Sequence, residues 1–84
     1  MQYILHGVFL KKIEKLPPKI REQFFERARI FHTDTFAIIL QNHSVDGAYP
    51  NCRSININGD YRAIYYERQN IAIFIEIGTH SELY

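Results

Sequence analysis

The sequence predicts an α+β domain: a small antiparallel β-sheet with an N-terminal two-helix hairpin packed on one face, in the order β-α-α-β-β-β. Three observations predict it. Apolar residues recur at helical spacing from Phe9 to Phe31, they alternate along the chain from Arg53 onward, and turn-forming pairs punctuate the second half.

Residues 2–5, QYIL, are short, apolar and β-prone, and read as a first strand. Phe9, Ile13 and Leu16 then fall at i, i+4, i+7, one face of a helix whose other positions are Lys11, Lys12, Glu14 and Lys15. Leu16-Pro17-Pro18 ends that helix, because a proline disfavours the helical region in the residue before it. A proline in the first turn of the next helix costs no hydrogen bond, so a second helix starts there. Its apolar face is Ile20, Phe24, Ala28 and Phe31, and it ends near His32. Residues 33–47 are ambiguous: Phe36–Leu40 suits a short strand, a helical turn or a buried loop. From Tyr49 the reading is β. Arg53, Ile55 and Ile57 alternate with Cys52, Ser54 and Asn56, and Asn58-Gly59 is a hairpin signal, since both residues tolerate positive φ. Tyr61–Glu67 returns, Gln69-Asn70 turns, and Ile71, Ile73, Ile75 and Ile77 form a last alternating strand that breaks at Gly78.

With 84 residues, one domain spanning 1–84 is expected. A chain of that size buries roughly 60–65% of the surface it exposes when unfolded, enough for one core but not for a deep pocket as well. Any active site should therefore be shallow. The single cysteine, Cys52, excludes an internal disulfide framework and a multi-cysteine zinc site, and fits a reducing compartment. MQYILHGVF lacks the charged and long apolar regions of a signal peptide, and the longest wholly apolar run, Phe36–Leu40, is too short to span a membrane. A cytoplasmic protein without membrane contact is expected. The net charge of +1 argues against indiscriminate nucleic-acid binding, although residues 11–21 concentrate five basic residues against one acid.

If Ile55 and Ile57 face the helices, Cys52, Ser54 and Asn56 point to the opposite, open face. His43 before the meander and His80 after the last strand can both reach that face, and Asp60, Tyr61 and Arg62 sit at the tight turn between two strands. Taken singly, each is ordinary: histidines in turns, an Asp after Asn-Gly, an arginine on a strand. Together they supply what internal RNA cleavage needs. A base takes the proton of the 2′-OH, an acid protonates the leaving 5′-oxygen, and a cation stabilises the phosphate as charge develops. Histidine titrates in the range for either proton role, arginine suits phosphate, and aromatic rings stack on unpaired bases. His6 and His32 flank helices and read as structural. No HxxxH-type ligand spacing is present, so neither a metal nor any other cofactor is expected.

Three segments, NHSVDG (42–47), RSININGDYRAIYY (53–66) and IEIGTHSELY (75–84), resemble the RelE/ParE superfamily of bacterial toxins, in its YafQ-like branch. That branch carries an H-x-L-x-G element, then an arginine-led strand running into D-[YW]-R, then a closing G-[ST]-H-x-x-L-[YF]. The likeness covers residues 42–84, while the helical hairpin matches in pattern only. It implies the toxin of a type II toxin–antitoxin system, an mRNA interferase that cuts mRNA on the ribosome without a metal. A cognate antitoxin is then a partner, and operator DNA is contacted only through the antitoxin complex. By position, the resemblance implies His80 as proton donor to the leaving oxygen and Asp60, with His43, as acceptor of the 2′-OH proton. Arg62 and Arg53 then serve the phosphate, Asn56 orients it, and Tyr61 or Tyr84 stacks on a base. Asn56 stands where some relatives carry a further histidine, and cannot relay a proton at neutral pH. The alternatives on the same fold are a gyrase inhibitor and a non-catalytic module that binds an antitoxin.

Overall fold

The computed structural model describes residues 1–84. In chain order it contains β1 (Gln2–Leu5), α1 (Gly7–Lys15), α2 (Pro18–Thr33), a 3-10 turn at Ile38–Leu40, β2 (His43–Ser44), β3 (Cys52–Asn56), β4 (Tyr61–Arg68), β5 (Ile71–Thr79) and α3 (His80–Leu83). The five strands form one sheet in the order β1-β5-β4-β3-β2.

The helical hairpin follows the sequence closely. His6 caps α1, its Nδ1 accepting from the Val8 amide at 3.1 Å. Leu16 is extended at φ −79°, ψ 155°, as a residue before proline prefers, and Pro18 opens α2. Phe9, Ile13, Phe24, Ala28 and Phe31 are buried against Ile55, Ile57, Ala63, Tyr65, Ala72, Phe74 and Ile77 of the sheet. Phe74 is the hub of this core: the rings of Tyr3, Phe9, Phe24, Phe31 and Tyr65 all lie with centroids between 5.3 and 5.8 Å from its own. Lys12 of α1 pairs with Glu76 of β5, tying the hairpin to the sheet.

Four features depart from the sequence reading. The sheet is mixed, because β1 pairs parallel with β5 in the register Gln2↔Ile71 to Leu5↔Phe74. In β5 the buried residues are Ala72, Phe74, Ile77 and Gly78, whereas Ile71 is exposed and Ile73 and Ile75 are half-buried. The cause is a register shift opposite Ile64 and Tyr65, which pair with Glu76 and Phe74 and leave Ile75 as the extra residue. A bulge reverses which residues face the core, so the isoleucine alternation is not the core stripe. Neither Asn58 nor Gly59 takes a positive φ. The Asn58 side chain instead accepts from the Asp60 and Tyr61 amides at 2.8 and 2.7 Å, closing a wider turn. Gln69-Asn70, by contrast, adopts φ 53° and 66° at both positions, the mirror-image turn of a two-residue hairpin.

The fourth departure concerns the sheet's second face, which is half covered rather than open. Ser54 and Ile64 are fully buried there and Cys52 nearly so. The cover is α3 together with the 45–51 segment, joined where the Tyr49 hydroxyl donates to the Leu83 carbonyl at 3.0 Å. Gly78 is the floor of this cover. A Cβ there would lie 3.3 Å from Leu83 Cδ2, so the position is small because α3 folds onto it, not because the backbone turns there.

Candidate active site

Strand register places the candidate residues. His43 pairs with Ser54, and Asn56 pairs with Arg62, which pairs in turn with Gly78. Cross-strand partners share a face, so His43, Asn56 and Arg62 lie on the second face of the sheet, beside the turn that carries Asp60. The His80 amide donates to the Asp60 carbonyl at 3.0 Å, fixing the start of α3 to that turn. His43, Asp60 and His80 are all exposed, as a shallow surface site requires.

His43 is held through its Nδ1, 2.8 Å from the Gln41 carbonyl. Gln41 also accepts from Asn56 Nδ2 at 3.0 Å through its side chain. Arg62 folds back over the turn: Nη1 donates to the Asn58 and Tyr61 carbonyls at 3.0 and 3.1 Å, and Nη2 to that of Gly59 at 3.4 Å. These bonds leave Nε–H and one Nη2 proton for a ligand. Asp60 has its amide bonded to Asn58 and its carbonyl to His80, so its backbone is fixed in the turn while the residue stays exposed.

α3 is a single turn with its own cap. Thr79 Oγ1 accepts from the Glu82 amide at 3.2 Å, and Glu82 Oε1 accepts from the Thr79 amide at 2.8 Å. The Thr79 backbone bond first, then its side-chain bond, holds the Glu82 carboxyl below its ordinary value. The Tyr84 ring sits 4.9 Å from the His80 imidazole, and Tyr49 meets Tyr84 edge-on at 6.1 Å. Burial, then the nearby Glu76 carboxylate, raises the Tyr49 phenol, which keeps it a neutral donor to Leu83.

Two candidates lie elsewhere. Arg53 pairs with Tyr65 and faces the helices, where its Nε donates to Asn42 Oδ1 at 2.8 Å and its guanidinium covers Phe36 at 5.3 Å. Asn42 in turn donates to the Tyr65 hydroxyl at 2.8 Å. Tyr61 is half-buried and packs against the core. Two residues that hold the site, Gln41 and Tyr49, carry no signal in the sequence: neither is titratable near neutrality, and their partners are distant or backbone atoms. No group of three or more His, Cys, Asp or Glu side chains has the arrangement of a metal site.

The hairpin of helices on a five-stranded sheet is a fold this chain shares with solved toxins of the YafQ and YoeB/ParE types. Among solved structures it is similar to YafQ from E. coli strain BL21(DE3), with a TM-score of 0.76 at 18% identity over 99% of this chain and 97% of that one. YafQ in the E. coli DinJ-YafQ toxin-antitoxin complex superposes at 0.73, with 19% identity over 99% and 96%. A YoeB/ParE toxin from Agrobacterium tumefaciens superposes at 0.73, with 15% identity over 95% and 99%. No protein-family model and no curated protein matches the sequence. The chain has the YafQ fold from end to end on little shared sequence.

Proposed function

We propose that this protein is the toxin of a type II toxin–antitoxin pair and acts as a ribosome-dependent endoribonuclease. The observation that carries the proposal is the bond from the His80 amide to the Asp60 carbonyl, which brings an imidazole and a carboxylate to the edge of the face that holds His43, Asn56 and Arg62. Asp60 with His43 takes the 2′-OH proton, and the 2′-oxygen attacks phosphorus. The P–O5′ bond breaks as His80 gives its proton to the 5′-oxygen, leaving a 2′,3′-cyclic phosphate and a 5′-hydroxyl. Arg62 meets the phosphate with its remaining N–H groups and Asn56 orients it. Tyr84, 47% exposed and next to His80, is the ring for a base, and Tyr61 supports the core beneath. Arg53 buttresses Asn42 from the far side.

The antitoxin partner is supported by the likeness to YafQ as it stands in a toxin-antitoxin complex. The outer face of α2 offers such a partner an exposed Phe25 between Arg21 and Arg29. No helix is long and apolar enough to cross a membrane.

Primer extension on a reporter mRNA in a translating extract tests the reading. The protein should cut within the reading frame, and His80→Ala and Asp60→Ala should each lose about 10²–10⁴-fold, the range for a proton-transfer group. Equal cutting by the variants would refute the roles. Growth arrest without cutting would point to gyrase, and antitoxin binding without arrest to a non-catalytic module.

A further inference from the structure

We infer that Gln41 is a positioning residue that sets the tautomer of His43 and the orientation of the Asn56 amide. The inference rests on the endoribonuclease reading for its catalytic meaning, but not for its geometry. Gln41 is the residue that closes the 3-10 turn, and it does so at φ 45°, ψ 46°, in the left-handed region that a long side chain rarely adopts. A glycine or asparagine would meet that need at lower cost. What a glutamine adds is visible in its bonds. Its carbonyl, turned by the left-handed backbone, lies 2.8 Å from His43 Nδ1, and its side-chain oxygen accepts from Asn56 Nδ2 at 3.0 Å.

The consequence follows atom by atom. A carbonyl only accepts, so His43 Nδ1 must carry the proton, and in the neutral ring Nε2 then keeps its lone pair. An imidazole with a bare Nε2 accepts a proton, which is the base role and not the acid role. Asn56 gives an N–H to Gln41, which leaves Oδ1 as its free acceptor toward the same face. One strained residue thus sets His43 as the acceptor of the 2′-OH proton and fixes the Asn56 amide beside it, with a second N–H left for the phosphate, while His80, at the other end, supplies a proton.

Long-range ¹H–¹⁵N NMR of the free protein reads the tautomer directly. The neutral His43 ring should be protonated at Nδ1, against the usual preference of histidine for protonation at Nε2. Gln41→Gly keeps the carbonyl and relieves the backbone, so it should retain the Nδ1–H tautomer and the thermal stability. It removes the bond to Asn56, however, and should cut mRNA about fivefold more slowly, the fold-change of one neutral hydrogen bond. Gln41→Val, whose branched side chain opposes the left-handed region, should move the proton to Nε2. An Nε2–H ring in the unmodified protein overturns the inference, and so does Gln41→Gly cutting at the full rate. If the unmodified protein does not cut at all, the endoribonuclease reading fails while the tautomer and the Asn56 side-chain amide signals still decide the positioning.

Discussion

Tyr49→Phe isolates one bond that holds the last turn. The substitution keeps the ring, and with it the edge-on contact to Tyr84 at 6.1 Å, and deletes only the hydroxyl that donates to the Leu83 carbonyl at 3.0 Å. That carbonyl is part-exposed, so water can replace the lost donor and the cost stays near the ordinary net worth of a neutral hydrogen bond, about 1 kcal/mol. In a domain of this length, each kcal/mol moves the melting temperature by about 4–8 °C. Tyr49→Ala also removes the aromatic pair, worth about 0.5–1.5 kcal/mol, together with the ring's buried apolar area, and should cost more than both losses taken singly. The catalytic effect follows from position: Tyr49 steadies Tyr84 and Leu83, Tyr84 lies against His80, and Leu83 lies on Gly78. Looser anchoring should slow single-turnover cleavage by about fivefold for Phe, the rate equivalent of about 1 kcal/mol, and more for Ala. Circular dichroism melts alongside single-turnover cleavage make the test. Melting temperatures that fall in that order while cleavage stays unchanged would show that α3 does not hold His80, and the positioning argument would be wrong.

Phe74→Ala should cost about 3–5 kcal/mol, because five rings lose their common neighbour. Set against a total stability of roughly 4–13 kcal/mol for a chain this long, that loss is about a quarter or more, and urea titration should find a clearly lower midpoint. Gln69→Asn keeps the hairpin turn but suits its positive φ better, and should raise stability by roughly 0.5–1 kcal/mol with no change in cleavage. Glu82 is held below its ordinary value of 4.5 by the Thr79 bonds, so its contribution is whole above that pH and is lost as pH falls through the lowered value. Side-chain NMR of His80 and Tyr84 should therefore show α3 loosening in acid while the β4–β5 amide signals persist, and Glu82→Gln should flatten that change.

Much of this architecture is legible in the sequence, because the relevant forces are local. The spacing of Phe9, Ile13, Phe24, Ala28 and Phe31 sets the buried helix faces, and Pro17-Pro18 divides them. Gln69-Asn70 turns where its chemistry requires. The misreadings have long-range or single-residue causes. Parallel pairing of β1 with β5 depends on residues from opposite ends of the chain and leaves no pattern in either. The bulge at Ile75 makes a regular run of isoleucines misleading, since alternation gives a period and not its phase. Asn58-Gly59 invites a two-residue turn, but the Asn58 carboxamide finds two amides to bind and a wider turn wins. Within the site, register brings His43, Asn56 and Arg62 to one face as alternation implies, whereas the same alternation carries Arg53 to the other. Gln41 and Tyr49 leave no signal because their bonds run to or from backbone carbonyls, or to a side chain that only the folded chain brings near.

The parallel pairing of β1 with β5 also dictates an order of events when the chain is made. β1 is synthesised first and has no strand to pair with until residues 71–74 exist, and the bond from His80 to Asp60 forms later still. The core hub, Phe74, belongs to that same late segment. At synthesis rates of about 5–20 residues per second, the nascent chain spends seconds as a helical hairpin and a partial meander without its central ring. Closing a sheet between opposite ends of the chain is also a slow, non-local step. A chain built this way lacks the central ring of its core until residue 74 exists, and the last of its candidate catalytic residues until His80 follows.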